Sequence, residues 1–411
     1  MLFRLLGAAH LGAQRYLSSL PPTIHSLALA VFVNRVGGAA KAFFALYLHD
    51  ARGIELTTVG LLLSINGAGV VAGSFLMGIL SDRWPTRKLI VFTLLASGLS
   101  LLLLAVVTPL WLIGILLAVG GLLDGGFRPL NQRLIMEASP EAQRRRAHAT
   151  VRAALNLGVG VAGIVSGWLA AFGFVWVFLA DGLGSLGAGA LLAHTLRGFT
   201  PLPDPARTAE PGAGRLPYGD GPFMLLLLAS LLFAIIYDQF YSTYGTYLRD
   251  AYRLGPVWIG YMYSLNGVMV GLLQIPLTVW TESWGYRLNA ALGGAMITAG
   301  FALLPFGSGP RWLTATTLIW TLGELLLMPQ QQALVMRRAA TGRSGHYFGL
   351  YAAVWGGRGL LAPLFGTQIY ALAGGNMLWY ACGALGLVAL LVQQGAIRSV
   401  LAPQGGAINP Q

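Results

Sequence analysis

The chain has 411 residues, of which 56% are hydrophobic and only 10% charged, with 56 glycines, and its mean hydropathy is +0.67. Soluble domains carry roughly 25% charged residues, so this composition excludes a water-soluble enzyme and a disordered chain alike and implies a polytopic membrane protein. The net charge of +12 is nearly all arginine, Lys41 and Lys88 being the only lysines. In so apolar a chain it reads as basic loops on one membrane face, not as a nucleic-acid partner.

Residues 1–20 begin the chain with an apolar run broken by His10, Gln14 and Arg15, and Pro21-Pro22 follows where a signal peptide would show a small-residue cleavage site. This segment reads as a short amphipathic helix on the membrane surface. Next come stretches near the roughly 20 apolar residues that cross a hydrocarbon core: 23–48, 57–80, 88–107, 109–135, 149–171 and 174–195. Segment 197–220 holds Pro201, Pro203, Pro205, Pro211 and Pro217 among charged residues, and reads as a cytoplasmic linker. Beyond it lie 221–248, 257–280, 289–307, 312–336, 347–372 and 375–396, then a tail at 398–411. The spacing predicts twelve transmembrane helices in two six-helix bundles, 21–196 and 221–397. One set of loops collects Arg83, Arg87, Lys88, Arg144 to Arg146, Arg197, Arg287, Arg337 and Arg338, while the other holds only Arg52, Arg249, Arg253 and Arg311. The excess places both termini in the cytoplasm, in an inner-membrane protein.

The two halves repeat at an offset of 200 residues without gaps. Tyr47, Leu48 and Asp50 recur as Tyr247, Leu248 and Asp250; Gly60, Ser64, Asn66 and Gly67 recur as Gly260, Ser264, Asn266 and Gly267. Trp84 and Arg87 recur as Trp284 and Arg287, Asp82 meets Glu282, Asp124 meets Glu324, and Pro129 meets Pro329. Chance similarity of apolar segments supplies leucines and glycines, not Asn, Trp, Pro and acids in one register. Two like halves suit a carrier whose halves rock about a central site.

The run Gly78-Ile-Leu-Ser-Asp82-Arg83-Trp-Pro-Thr-Arg87-Lys88 resembles the Gly-x-x-x-Asp-Arg-x-Gly-Arg-Arg/Lys loop of the major facilitator superfamily, at Gly78, Asp82 and Arg83 and in the basic run that follows. Asn34-Arg35 with Phe43-Phe44 and Tyr47, and the small-residue run from Gly158 to Gly167, are similar to its drug:proton antiporters. The resemblance implies the all-α major facilitator fold and proton-coupled, alternating-access export of hydrophobic or amphiphilic molecules. It also implies that Gly78, Asp82, Arg83 and Arg87 latch the cytoplasmic side, with Glu282 and Arg287 as their repeat counterparts and Arg128 and Arg152 as conformational partners.

Ionisable groups inside a bilayer are costly and need a partner or a function. Glu324, Asp124 and Asp238 fall inside predicted spans and are candidates to carry protons, Asp124 with Arg128 one turn away as an alternative static partner. Tyr237, Tyr241 and Tyr244 share a helix face and, with Asn34, Arg35, Lys41, Gln331 and Gln332, are candidates to line a substrate cavity. Arg35 and Lys41 either pair with those acids or attract an anion, so a carrier of one defined metabolite (a sugar, peptide or organic anion) remains the alternative. The pattern Gly158-x-Gly160-x-x-Gly163 follows no strand, so it reads as close helix packing instead of a phosphate loop. A membrane enzyme is a remote third reading, since the six His are scattered. The expected partners are a small-molecule substrate, protons and the lipid bilayer, with a monomer as the working unit and no cofactor, metal or nucleic acid.

Overall fold

The computed structural model describes residues 20–38, 40–202, 216–339 and 344–401, and these are almost wholly helical, with no strand among them. The predicted surface helix, except for Leu20, lies outside the described residues, as do 203–215 of the linker and 402–411 of the tail. In chain order the helices are α1 (Pro22–Gly37), α2 (Ala40–Leu46, extended by a wide turn over Tyr47–Ala51), α3 (Leu56–Arg83), α4 (Thr86–Val106), α5 (Leu110–Ala138), α6 (Glu141–Phe172) and α7 (Phe174–Thr195). The second half supplies α8 (Gly221–Ser242), α9 (Tyr244–Asp250), α10 (Pro256–Trp280), α11 (Gly285–Ala302), α12 (Gly309–Ala339), α13 (Ser344–Ala373) and α14 (Gly375–Leu401).

Proline sets four of the starts in a sequence whose apolarity scarcely pauses. Pro21, Pro85, Pro109 and Pro140 sit at the N-caps of α1, α4, α5 and α6. There the missing N–H costs nothing and the fixed φ suits helix entry. Gly173, at φ 146°, separates α6 from α7 in a conformation that side-chain-bearing residues rarely adopt.

Two predicted spans are broken. The first, read as 23–48, stops at Gly37-Gly38 before α2 resumes. A Cβ on Gly37 would lie 2.6 Å from the Ala180 carbonyl oxygen and 2.9 Å from the Asp181 Cα, so glycine permits the crossing with α7 but weakens the helix there. The seventh, read as 221–248, breaks at Thr243, where Ser242 and Thr243 turn their hydroxyls onto Gln239 Oε1 at 3.1 and 2.8 Å. Side chains that bond locally in this way compete with the helix.

Nine segments among the described residues are long and apolar enough to cross a bilayer. Helices α11, α12 and α13 are not among them; Arg287 and Asn289, then Glu324 and Gln330 to Gln332, and then Arg358 and Gln368 dilute their apolar content. Exposed large apolar side chains such as Phe75, Leu99, Trp111 and Leu157 run along the others. On a molecule in water such a surface would be untenable; in lipid it is the expected outer face, the backbone polar groups being satisfied within each helix.

The chain divides into two compact units. The first comprises 1–54, 65–209 and 255–271, the second 55–64, 210–254 and 272–411. Within the first, α1 packs on α6 and α7, and α4 on α5 and α7. Within the second, α8 packs on α13 and α14, and α11 on α12 and α14. These pairings correspond helix for helix, so the repeat seen in the residues is also a repeat of packing. The early part of α10 belongs to the first unit, where Gly260 lies against Gly163 and Gly167 of α6, and a Cβ on Gly163 would meet the Gly260 carbonyl at 2.5 Å. The small-residue face read from the sequence is therefore a close helix contact.

Candidate functional site

In the first unit, three helices bring charge together. Arg35, at the end of α1, directs Nη2 to Asp124 Oδ1 of α5 at 3.9 Å, with the side chains 28% and 50% exposed. At that distance the two are an ion pair without a hydrogen bond. The guanidinium also lies 5.8 Å from the centre of the Phe127 ring, and its Nε is buried with no hydrogen-bond partner among the described residues. Asn34 donates from Nδ2 to Ser185 Oγ of α7 at 2.9 Å. One turn before Ser185 is Asp181, buried, accepting from the Ala40 amide and close enough to Arg35 and Asp124 to feel both charges. The cluster is thus two carboxyls and one guanidinium. Lys41 is half-buried on α2, and Arg128 is exposed: it is Arg35 that meets Asp124.

The second unit holds a cluster of like composition. Arg358 of α13 reaches Asp238 of α8, Nε to Oδ1 at 3.2 Å, with Asp238 only 3% exposed. The guanidinium lies 5.5 Å from the Tyr237 ring centre and 5.0 Å from that of Trp355, in cation–π range. Tyr237 in turn contacts Tyr241 and stands edge-on to Trp320. Glu324 of α12 is half-buried and near enough to Tyr237 and Arg358 for its charge to act on both. Again two carboxyls accompany one guanidinium. The indole N–H groups of Trp320 and Trp355 are buried there without an acceptor among the described residues.

The tyrosine stripe divides. Tyr237 and Tyr241 belong to the charge cluster, whereas Tyr244 is fully buried with its hydroxyl 3.1 Å from Thr317 Oγ1 and its ring against Trp379. Gln331 is also fully buried, donating to Gln393 Oε1 of α14 at 3.2 Å, while Gln332 is exposed.

Of the loop residues, Gly78 is half-buried in the last turns of α3, and Arg83, Glu282, Arg287 and Arg152 are exposed. Arg87 reaches the Ala193 carbonyl near the end of α7 at 3.4 Å. The Asp82 side chain lies outside the described residues. Beside the loop is a network the sequence reading missed: Glu137 accepts from Arg133 Nε at 3.1 Å and Thr86 Oγ1 at 2.6 Å, and Arg133 Nη1 donates to Ser81 Oγ at 2.8 Å. In the second unit Asp220, read as linker, is 1% exposed at the N-cap of α8. It accepts from Arg338 at 2.9 and 2.5 Å, from Tyr347 at 3.0 Å and from the Phe223 amide at 3.2 Å. Asp181 was missed too, although a lone acid within an apolar span is a signal in itself. Among the described residues, no group of His, Cys, Asp and Glu is arranged to hold a metal ion.

The family model described as Major Facilitator Superfamily matches residues 27–363. A "Multidrug resistance protein MdtH" of Aeromonas salmonicida is 25% identical, covering 84% of this chain and 87% of its own length. A "Na(+), Li(+), K(+)/H(+) antiporter" of Planococcus maritimus is 25% identical over 77% of this chain and 82% of its own. Among solved structures, a POT family transporter in complex with 5-aminolevulinic acid superposes with a TM-score of 0.77 at 14% identity, covering 93% of this chain and 97% of that one. At that identity the likeness establishes the fold alone.

Proposed function

Given that the chain belongs to the major facilitator superfamily, and is a membrane transporter of that kind, we propose that it exports hydrophobic or amphiphilic small molecules in exchange for protons. Its relatives are transporters, not enzymes. In this reading twelve helices form two halves, 21–196 and 221–397, joined by the 197–220 linker. Both termini are cytoplasmic in an inner membrane, and a monomer is the working unit. The halves alternate access to a central site, and the loop residues Gly78, Asp82, Arg83 and Arg87, with Glu282, Arg287, Arg128 and Arg152, hold the cytoplasmic side closed.

The observation that carries the proposal is the pairing of two carboxyls with one guanidinium within each unit: Asp124 and Asp181 with Arg35, Asp238 and Glu324 with Arg358. With both acids ionised, such a cluster holds a net negative charge in a medium that penalises charge. Taking up one proton makes it neutral. Proton occupancy is then tied to the ion pair, and a change in water access moves the proton across. Glu324, Asp124 and Asp238 carry the exchange, and Tyr241, half-buried beside the buried Tyr237, offers an aromatic face to an organic cation. The multidrug and antiporter names of the two relatives support this choice. One observation favours the alternative of a single-metabolite carrier: the Arg35 guanidinium is partly exposed and held by Asp124 at only 3.9 Å, leaving room to bind an anion.

The test is proton flux in proteoliposomes under an imposed pH gradient. Lipophilic cations, sugars, peptides and organic anions are added in turn. Proton movement opposite to a lipophilic cation, lost in Glu324→Gln, supports export by exchange. Flux with only a sugar, peptide or anion overturns it in favour of the metabolite carrier and makes Arg35 and Lys41 substrate ligands.

A further inference from the structure

A groove of about 890 Å³ opens in the first unit where the α3–α4 loop meets the ends of α5 and α7. It is unrelated to the two acid–guanidinium clusters. Four cations line it, Arg83, Arg87, Lys88 and Arg133, against one carboxylate, Glu137. Glu137 is already held by Arg133 and Thr86. Among the described lining residues, no further carboxylate answers Arg83, Arg87 and Lys88, and α4 begins at the same place with the positive end of its dipole.

The rest of the lining is apolar and ordered along one helix. Lys88, Val91, Phe92 and Leu95 are spaced three, four and seven residues from the first, a single stripe of α4 that falls about 10 Å from cation to Leu95. Phe92 is 59% exposed and Trp84, beside the cations, 58%. The groove therefore has positive charge at its mouth and an apolar wall running along α4, one of the helices long and apolar enough to cross a bilayer. Phosphate or sulfate would use only the mouth. A zwitterionic lipid would bring its own ammonium against the arginines. A headgroup of net negative charge with an acyl chain attached matches both parts.

We infer that this groove binds one anionic phospholipid, its phosphodiester on Arg83, Arg87 and Lys88 and an acyl chain along Phe92 and Leu95. The bound lipid ties the α3–α4 loop to the end of α7, which Arg87 already touches through the Ala193 carbonyl. The inference needs only that this end of the unit lies at a headgroup layer and does not depend on what is transported.

The test is native mass spectrometry of full-length protein released from bilayers of equal phosphatidylglycerol and phosphatidylcholine. Wild type is expected to retain one phosphatidylglycerol in preference. Each lost cation weakens such binding roughly fivefold, so Arg83→Gln/Lys88→Gln should retain at least about tenfold less. Arg253→Gln/Arg311→Gln, outside the groove, should retain as much as wild type. Phe92→Asn, with every charge in place, should also retain less. Size-exclusion and melting profiles matching wild type exclude misfolding, and Lys88→Gln alone serves if the double variant fails them. Equal retention of both lipids, or loss common to the Arg253/Arg311 control, overturns the inference. Loss in the charge variants with none in Phe92→Asn overturns the lipid in favour of a bare anion site.

Discussion

Asp220 offers the sharpest test of the energetics. Its carboxylate is 1% exposed and receives four donors: two from Arg338, the Tyr347 hydroxyl and the Phe223 amide. The group fastens the start of α8 to the end of α12 and the beginning of α13. Asp220→Asn keeps an acceptor for the Phe223 amide, because asparagine also caps helices well, so the capping contribution survives. It removes the charge opposite Arg338, itself only 10% exposed. Breaking a buried pair by deleting one partner costs about 3–5 kcal/mol; with the cap and one acceptor retained, about 3 kcal/mol is expected. Burial alone would raise the Asp220 pKa, but hydrogen bonds from Arg338, Tyr347 and the Phe223 amide, with the Arg338 charge, outweigh it and hold the group below the usual carboxylate range. A depressed folded pKa contributes stability that is present above the unfolded value, about 3.9, and is lost as pH falls through the folded one. The wild-type advantage over Asp220→Asn should thus be full at pH 7 and shrink below about pH 4. Detergent-solubilised protein unfolded by a dodecyl sulfate titration at pH 7 and at pH 3 measures both. Adding Arg338→Met to Asp220→Asn should recover most of the loss, since no buried charge is then stranded. Equal stability of wild type and Asp220→Asn at pH 7, or a gap unchanged at pH 3, would refute the account.

Glu324→Gln should fold and bind substrate yet lose accumulation driven by a pH gradient, and unchanged pH dependence of active transport would remove Glu324 from the coupling path. Asp181→Asn should leave substrate exchange at equal pH intact while flattening the pH profile of net transport; a profile superposable on wild type would make Asp181 merely structural. Gly163→Val should cost at least about 3 kcal/mol, because its Cβ meets backbone atoms of Gly260 and Ser264, whereas Gly160→Ala should be tolerated, its nearest neighbour being the Val268 side chain at 3.1 Å. Yield and thermal stability of the two variants in detergent decide between packing that yields and packing that does not.

How much of this was legible in the sequence depends on whether the information is local. The starts behind Pro21, Pro85, Pro109 and Pro140 depend on one residue each, so those ends are legible. The small-residue face of α6 was readable because glycines at close spacing admit few uses inside a membrane. The break at Thr243 was not, because it arises from Gln239 gathering two hydroxyls, a choice of side-chain partners that hydropathy does not report. Asp220 was hidden by its proline-rich neighbours; its role depends on Arg338 and Tyr347, more than a hundred residues away. Tyr244 shares a face with Tyr237 and Tyr241, yet Thr317 and Trp379 bury it. Periodicity identifies a face, not what the face meets.

The repeat itself explains why the charge clusters were only half visible. Positions 124 and 324 are both acidic, and that symmetry can be read directly. The guanidinium does not follow the offset. In the first unit it comes from α1, as Arg35, whose counterpart is Ile235; in the second it comes from α13, as Arg358, whose counterpart is Gly158. In the first unit the structure shows why position 158 is glycine. A Cβ on Gly158 would lie 2.7 Å from Arg35 Cβ, so the root of the arginine occupies the space a side chain at 158 would need. The second unit is not closed in this way, since Ile235 and Arg358 both carry side chains there. Each half kept the requirement for one cation beside two acids and met it from a different helix. A search for repeated residues finds Asp124 and Glu324 and passes over the rest of each cluster, since Asp181 falls opposite Ala381 and Asp238 opposite Gly38.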